Sequence, residues 1–237
     1  MSPEIKPLMS GSSMQRDGLN HQAIEDYLKT IYMLAEKESP VSTSRIAEAR
    51  QVKPASATSM IQRLAKLELV YYEKHYGVTL TAAGEKIALE VIRHHRLIEL
   101  YLMEALGFTW DEVHEQADIL EHVISEKLEE RIAAALGHPD FDPHGDPIPS
   151  KEGIVAEPNT LSLAHMSIGK PAMVSRVPDD ANSELLRYLA EIGLVPGAEV
   201  EVTAVAPLDG PRTILINGQE KIIGRRVATA VRVIISE

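Results

Sequence analysis

The sequence predicts a mainly α-helical protein with some β-structure: an N-terminal winged helix-turn-helix, a helical middle domain and a small C-terminal β-barrel. Three observations lead to this prediction. Apolar residues recur at helical spacing through most of the first 136 residues, with two short β-like runs between them. A stretch at 137–160 holds five of the fourteen prolines. From Leu161 onward the pattern changes to short runs rich in β-branched residues.

Composition and charge limit the classes of function. The chain is 44% hydrophobic, contains no cysteine and has no apolar run of the ~20 residues that a bilayer span needs. We therefore expect a cytoplasmic protein without membrane contacts, disulfides or thiolate metal sites. Residues 1–90 carry 11 basic and 11 acidic side chains, so residues 91–237 supply the whole net charge of −11. Residues 41–76 are locally basic, which is compatible with binding to phosphates.

The order of predicted elements in the first half is typical of a winged helix-turn-helix. Residues 1–19 lack periodicity and are predicted to form a disordered leader. The predicted elements that follow are a helix from Asn20 to the break at Pro40, helices at 43–50 and 54–67, a hairpin made by LVYYEK and GVTLT, and helices at 81–105 and 110–136. The apolar stripe predicted for the last helix includes Val113, Ala117, Leu120, Ile124 and Leu128.

The predicted second helix of the pair and the hairpin tip carry small polar and basic side chains. Small hydroxyl groups can approach base edges, while basic groups can meet phosphates. A solvated polar face would show the same pattern, but helix order, charge and hairpin together favour binding to double-stranded DNA. The candidate contacts are Arg45, Arg50, Lys53, Ser56, Ser59, Arg63, Lys74, His75 and Tyr76.

Carboxylates and histidines cluster at helical spacing in the middle domain. Asp118, Glu121 and His122 stand at i, i+3 and i+4, so they project from one side of the predicted helix. His95 and Glu99 share the i, i+4 spacing, and His114 lies one turn before Asp118. Any single pair also fits a surface hydrogen bond, but several such groups on consecutive helices favour a divalent metal site.

Four segments resemble the diphtheria-toxin-repressor family of metal-dependent regulators. They are EDYLKTIYML (25–34), HRLIELYL (95–102), VHEQADILEHVISEKLEERI (113–132) and DPHGDPIP (142–149). The segment LLRYLAEIGLVPGAEVEV (185–202) is similar to the SH3-like domain of the FeoA type found in longer members. The resemblance implies a DNA-binding domain at 20–90, a helical dimerisation and metal-binding domain at 91–140, a linker at 141–160 and an SH3-like domain at 161–237.

The resemblance also implies two neighbouring metal sites. The primary site would use Asp26, Asp118, Glu121 and His122, and the ancillary site would use His95, Glu99 and His114. In some members the SH3-like domain adds a ligand, for which Asp180 and Glu184 are the candidates here. The iron-responsive branch has Met and Cys at the positions of Asp26 and Asp118, whereas the manganese-responsive branch has carboxylates there. Lys29, however, stands where manganese regulators can carry another acidic ligand.

Hard carboxylate donors in place of sulfur favour Mn²⁺, with Fe²⁺ as the alternative, and Co²⁺, Zn²⁺ or Cd²⁺ as substitutes in vitro. We therefore expect a homodimeric repressor with metal as corepressor, which binds a palindromic operator whose half-sites lie about 34 Å apart. The alternatives are an iron(II)-dependent repressor and a winged-helix regulator that responds to an organic ligand. A metallohydrolase is disfavoured because no HExxH motif, nucleophile motif or Gly-rich phosphate loop is present, so neither enzymatic activity nor a small-molecule substrate is expected.

Overall fold

The computed structural model describes residues 11–156, 158–178 and 183–235. The chain forms two compact units, one extending to Ile92 and the other beginning at Arg93. The N-terminal part is mainly helical with a β-hairpin and the C-terminal part is rich in strands, as the sequence predicts. Within the described ranges, no helix combines the length and the apolar character that crossing a membrane requires.

The first unit is a winged helix-turn-helix. Its elements are α1 (Gly11–Ala35), α2 (Thr43–Ala49), α3 (Pro54–Lys66), β1 (Val70–Glu73), β2 (Gly77–Leu80) and the first part of α4 (Ala82–Leu106). Leu28, Ile31, Ile46, Ile61 and Leu64 are fully buried and form the centre of its core. The strands pair antiparallel to make the predicted hairpin. The predicted order of these elements is therefore confirmed.

The disordered leader expected at 1–19 is wrong from Gly11 onward, because α1 begins there. Once a helix exists, each added residue gains a backbone hydrogen bond, so a segment without apolar periodicity can extend it. Residues 1–10 lie outside the described ranges.

Local signals position the second and third helices and the wing. The Ser42 side chain accepts a hydrogen bond from the Arg45 backbone N–H at 3.3 Å, which caps α2. Pro54 begins α3, where a missing N–H costs nothing. Gly77 has a φ of 136°, and a Cβ there would lie 2.9 Å from the Val41 carbonyl oxygen. Only glycine lets the wing approach this backbone so closely.

The single helix expected at 110–136 is wrong, since the structure has two helices there, α5 (Val113–Leu120) and α6 (Glu126–Ala135). Ser125 provides the local reason, because its side chain accepts a hydrogen bond from the Leu128 N–H and so starts a new helix. The predicted stripe is buried only at its start. Leu120 and Leu128 are 40% and 52% exposed.

Much of the proline-rich stretch expected to act as a linker is packed inside the second unit. All eight residues of 142–149 are buried. The Asp142 carboxylate accepts hydrogen bonds from the backbone N–H groups of His144 and Asp146 at 2.8 and 2.9 Å. Arg96, on α4, donates to the Pro147 carbonyl oxygen at 2.6 Å. We call residues 142–149 the buried loop, because these contacts leave it no freedom to act as a flexible connection.

The C-terminal β-domain is a six-stranded antiparallel sheet with two helices. Its elements are β3 (Leu161–Ser162), β4 (Pro171–Arg176), α7 (Ser183–Glu191), β5 (Glu199–Val205), β6 (Arg212–Ile216), β7 (Gln219–Ile223), α8 (Arg225–Ala230) and β8 (Arg232–Ile235). The strand order is β3-β8-β4-β5-β6-β7. The predicted small β-domain is present, and its described strands form an open sheet in place of a closed barrel, since the two-residue strand β3 pairs with β8 and does not reach β7.

Candidate metal centre and DNA-binding surface

Two helices present most of the predicted metal ligands to one another in the second unit. On α4, His95 and Glu99 are one turn apart and almost fully buried. On α5, His114 and Asp118 are likewise one turn apart, and Asp118 is exposed. Glu121 caps the end of α5 and is buried. The helical spacing read from the sequence therefore places these side chains on facing surfaces.

His95 lies at the centre of this cluster. Its Nδ1 is 2.5 Å from Glu121 Oε2, and its Nε2 is 2.9 Å from Glu99 Oε1. His114 Nδ1 is 3.1 Å from His95 Nε2. Each nitrogen of the buried ring therefore faces a carboxylate, an arrangement that fixes the plane of the imidazole.

The remaining predicted residues of this unit join the cluster at its more open side. Asp118 Oδ1 is 3.4 Å from His95 Nδ1, and Asp118 Oδ2 is 3.7 Å from His114 Nε2. One donor atom from each of these three residues lies within 4.8 Å of the others. His122 Nε2 is 3.4 Å from Glu121 Oε1. Six of the seven predicted ligands are thus close together, because they come from α4, α5 and the turn that follows α5.

Glu99 is held as a carboxylate by its histidine neighbours. Burial alone would raise its pKa, but the charge of His95, hydrogen bonds from His114 and His95, and the nearby His144 imidazole outweigh this effect. Together they hold the pKa of Glu99 well below its ordinary value. A deprotonated carboxylate among imidazoles is the form that a metal cation binds.

Asp26, the seventh predicted ligand, lies on α1 in the first unit. Its Oδ2 accepts a hydrogen bond from Arg50 Nη2 at 2.7 Å, and the Arg50 guanidinium lies 5.6 Å from the centre of the Tyr27 ring. Burial raises the pKa of Tyr27 although the positive charge of Arg50 opposes the shift. Arg50 is predicted from the sequence to contact DNA, and in the structure its guanidinium is paired with Asp26.

Sequence reasoning missed two further donors, Asp142 and His144 of the buried loop. With Glu99 they form a second group whose donor atoms lie within 4.8 Å of one another, and all three residues are buried. His144 Nδ1 is 3.8 Å from Glu99 Oε2. The available signal was an Asp and a His, two residues apart, inside the motif DPHGDPIP, which was assigned to a linker.

The β-domain candidates for an additional ligand remain untested predictions. Asp180 lies outside the described residues. Glu184 lies exposed in the first turn of α7.

The predicted DNA contacts, apart from Arg50, lie on accessible surfaces. On α3 and directly before it, Lys53, Ser56, Ser59 and Arg63 are exposed. The turn of the hairpin exposes Lys74, His75 and Tyr76. On α2, Arg45 is exposed and pairs with Glu48 at 2.9 Å. This placement suits a helix that enters a major groove beside a wing.

The donors assembled in the second unit fit a hard divalent cation. They are carboxylate oxygens and imidazole nitrogens, and the chain contains no cysteine to supply a soft thiolate. Oxygen donors suit Mn²⁺ and imidazole suits Fe²⁺ and Zn²⁺, so the set fits a transition-metal ion. The exposed Asp118 leaves one side of the cluster accessible to solvent and to an entering ion.

Comparisons with known families cover almost the whole chain. Residues 21–78 match the N-terminal DNA-binding domain of the iron-dependent repressors, and residues 81–150 match their metal-binding and dimerisation domain. Residues 161–235 match the FeoA domain. The iron-dependent repressor IdeR of Mycobacterium tuberculosis is 33% identical over 221 residues, which cover 88% of this chain and 95% of that protein.

Similar proteins include both manganese and iron regulators. The regulator MntR of Bacillus velezensis is 37% identical over 110 residues, 46% of this chain and 77% of that protein. A manganese-dependent transcriptional repressor solved in complex with manganese is 38% identical, with a TM-score of 0.83 over 90% of this chain and all of that chain. The repressor ScaR with bound Zn²⁺ is 33% identical, with a TM-score of 0.74 over 89% of this chain and 98% of that chain.

Proposed function

Because the chain belongs to the diphtheria-toxin-repressor and iron-dependent repressor family of metal-dependent, DNA-binding transcriptional repressors, we propose that it represses its operators in response to Mn²⁺. The family is one of regulators and not of enzymes. The observation that carries the choice of metal is the donor set of carboxylates and imidazoles without sulfur. The similarity to a repressor solved with manganese supports the same choice.

The proposed metal ligands form two sets, a primary one and an ancillary one. In the primary set, Asp118, Glu121 and His122 are joined by Asp26, an assignment that rests on the family resemblance. The ancillary set contains His95, Glu99 and His114, and we add Asp142 and His144 because they are buried beside Glu99. When bound, the metal supplies positive charge that lets these carboxylates lie close together.

The proposed switch depends on which domain carries each ligand. Asp26 belongs to the DNA-binding unit, whereas the other primary ligands belong to the unit that begins at Arg93. An ion held by both favours one arrangement of the two units over others, and so shifts the population towards the state that binds DNA. A carboxylate at position 26 is therefore what would make DNA binding respond to metal.

We propose that the active species is a homodimer that binds a palindromic operator in the cytoplasm, where chromosomal DNA is accessible. Four large apolar side chains on or beside α5 and α6 support this proposal, since they are 40–75% exposed: Ile119, Leu120, Val123 and Leu128. Such a group is typical of a protein interface. A symmetric dimer would cover it and present two recognition helices to two half-sites.

Operator binding measured at buffered free Mn²⁺, Fe²⁺, Co²⁺ and Zn²⁺ tests the proposal directly. We expect Mn²⁺ to raise operator affinity at least tenfold and Asp26→Ala or His122→Ala to abolish the response. Equal operator affinity with and without metal would contradict metal dependence and favour a regulator of another kind. A response to Fe²⁺ at free concentrations at which Mn²⁺ has no effect would instead identify an iron-dependent repressor, as in the IdeR relatives.

A further inference from the structure

Trp110, the chain's single tryptophan, contacts both the buried loop and the β-domain. It lies just before α5 and is half-buried. Its ring stacks on the His144 imidazole, with ring centres 5.3 Å apart and planes inclined by only 14°. The same side chain packs against the apolar core of the β-domain. One side chain therefore links a candidate metal ligand to the domain that follows it in sequence.

Polar contacts join the buried loop to Arg176 and Val177 of the β-domain. The Val177 N–H donates to the His144 carbonyl oxygen at 2.9 Å. Arg176 Nε is 2.8 Å from Asp146 Oδ1. Gly145 has a φ of 87°, and a methyl group there would overlap the Ser175 carbonyl oxygen. The end of β4 and Val177 after it are thus in direct contact with the loop at His144, Gly145 and Asp146.

The side chain of His144 belongs to the second donor group, whereas its backbone carbonyl oxygen contacts Val177. Its Nδ1 lies 3.8 Å from Glu99 Oε2, and its side chain is fully buried. A histidine binds a metal well only when its ring plane and the orientation of its nitrogens are fixed by surrounding groups. Here the flat face of the Trp110 indole restricts the imidazole plane, while the backbone contact with Val177 fixes its main chain.

We propose that Trp110 is a positioning residue that couples the packing of the β-domain against the buried loop to cation binding by Glu99, Asp142 and His144. The indole holds the His144 ring in a ligating orientation only while the β-domain core is packed against it. A cation in this group in turn holds the buried loop, and with it the β-domain, in place. This inference rests on the proposed metal-responsive function, and it adds a residue that itself contacts no ion.

The test compares Mn²⁺ binding to the full-length chain and to three variants by calorimetry. Trp110→Leu removes the flat ring, and we expect it to weaken Mn²⁺ binding by the ancillary set about tenfold to a hundredfold while binding by the primary set stays unchanged. Trp110→Phe keeps a flat ring and should restore most of the affinity. Phe108→Leu is the matched control, since Phe108 lies in the same loop but packs against Ile98, Leu102, Val113 and Ala117.

Limited proteolysis gives a second readout, which follows the packing of the β-domain and does not depend on DNA binding. We expect Mn²⁺ to protect the segment 150–160 from limited proteolysis in the wild type and in Phe108→Leu, and to protect it less in Trp110→Leu. If Trp110→Leu left both the Mn²⁺ affinity of the ancillary set and the protection of segment 150–160 from proteolysis unchanged, the inference would be overturned. Loss of both sites in Trp110→Leu and in Trp110→Phe alike would also overturn it, because it would indicate a general structural role. Absence of any Mn²⁺ binding by the wild type would instead overturn the proposed function.

Discussion

The Asp26–Arg50 ion pair distinguishes Arg50 from Lys53 in the DNA-binding unit. Lys53 is exposed directly before α3, whereas Arg50 is only 32% exposed and its guanidinium is bound by a carboxylate. A cation already neutralised by a neighbouring carboxylate releases few counterions when phosphate approaches. We therefore expect these two basic residues to contribute differently to DNA affinity.

We predict that Lys53→Ala reduces the slope of log affinity against log salt concentration by about one. Arg50→Ala should leave this slope nearly unchanged and act instead on the metal dependence of binding, because it removes one partner of Asp26. Fluorescence anisotropy with an operator duplex at three salt concentrations and saturating Mn²⁺ measures both effects. A slope reduction for Arg50→Ala as large as that for Lys53→Ala would contradict this division of roles.

The sequence predicts local relationships between residues far better than distant ones. His95 with Glu99, and Asp118 with Glu121, were found because their spacing along a helix places them together whatever the tertiary fold. Asp142 and His144 were missed because Glu99 is more than 40 positions away, and no spacing rule connects a helix to a proline-rich loop. The pairing of Arg50 was missed for the same reason, since its partner Asp26 lies on another helix.

At the level of elements, the break between α5 and α6 creates the exposed apolar group proposed as the dimer interface. A single helix would carry one continuous stripe, whereas the turn at 121–125 places Glu121 in the cluster and leaves Val123 75% exposed. The periodicity of the sequence could not reveal this break, because the apolar positions continue through it and only the capping signal at Ser125 marks it.

Val123→Asp is therefore expected to convert the dimer to a monomer and to reduce operator affinity at least tenfold, because the charge would have to be buried without a partner. Ile222→Asp is the control, since Ile222 lies on β7 and is 71% exposed, close to the exposure of Val123. Sedimentation velocity distinguishes the two species. Dimers of Val123→Asp with wild-type stability would contradict the proposed interface.

The buried loop gives a second prediction at this scale. Gly145→Ala should lower the free energy of unfolding by about 2–3 kcal/mol, because alanine is strained at a φ of 87° and its methyl group overlaps Ser175. Gly169→Ala, at a φ of 78° with open space around its Cα, should cost only about 1 kcal/mol. Urea unfolding followed by circular dichroism measures the two changes. If the two variants lost equal free energy of unfolding, the close contact between Gly145 and β4 would contribute nothing to the cost of the substitution.

For the whole molecule, the sequence predicts the order and type of the domains, while the closure of the β-domain depends on pairing that no local pattern specifies. The strands were recognised from their β-branched runs, but a barrel requires the first and last strands of the sheet to meet. β3 contains two residues, and its pairing with β8 leaves no partner for β7 among the described strands. Strand length and register are therefore what the sequence pattern could not provide.

Metal binding should stabilise the intact molecule by mass action. At Mn²⁺ one hundredfold above its dissociation constant, a single site adds about 2.7 kcal/mol of stability, and the midpoint of thermal unfolding should rise accordingly. Trp110 reports this transition for the unit that begins at Arg93, since the chain has no other tryptophan. Chelation should reverse the shift, and an equal concentration of Mg²⁺ should not reproduce it. An unchanged midpoint would contradict binding in this unit.

The burial of residues 142–149 also determines how this protein can be divided. A gene truncated at the apparent domain boundary near residue 160 would leave Pro143, Ile148 and their neighbours without the end of β4, which contacts the loop in the intact chain. A cut before residue 142 would remove Asp142 and His144 from the helical part altogether. Exchange of the β-domain between relatives, in evolution or in engineering, should therefore succeed only when the eight residues of the loop are exchanged with it.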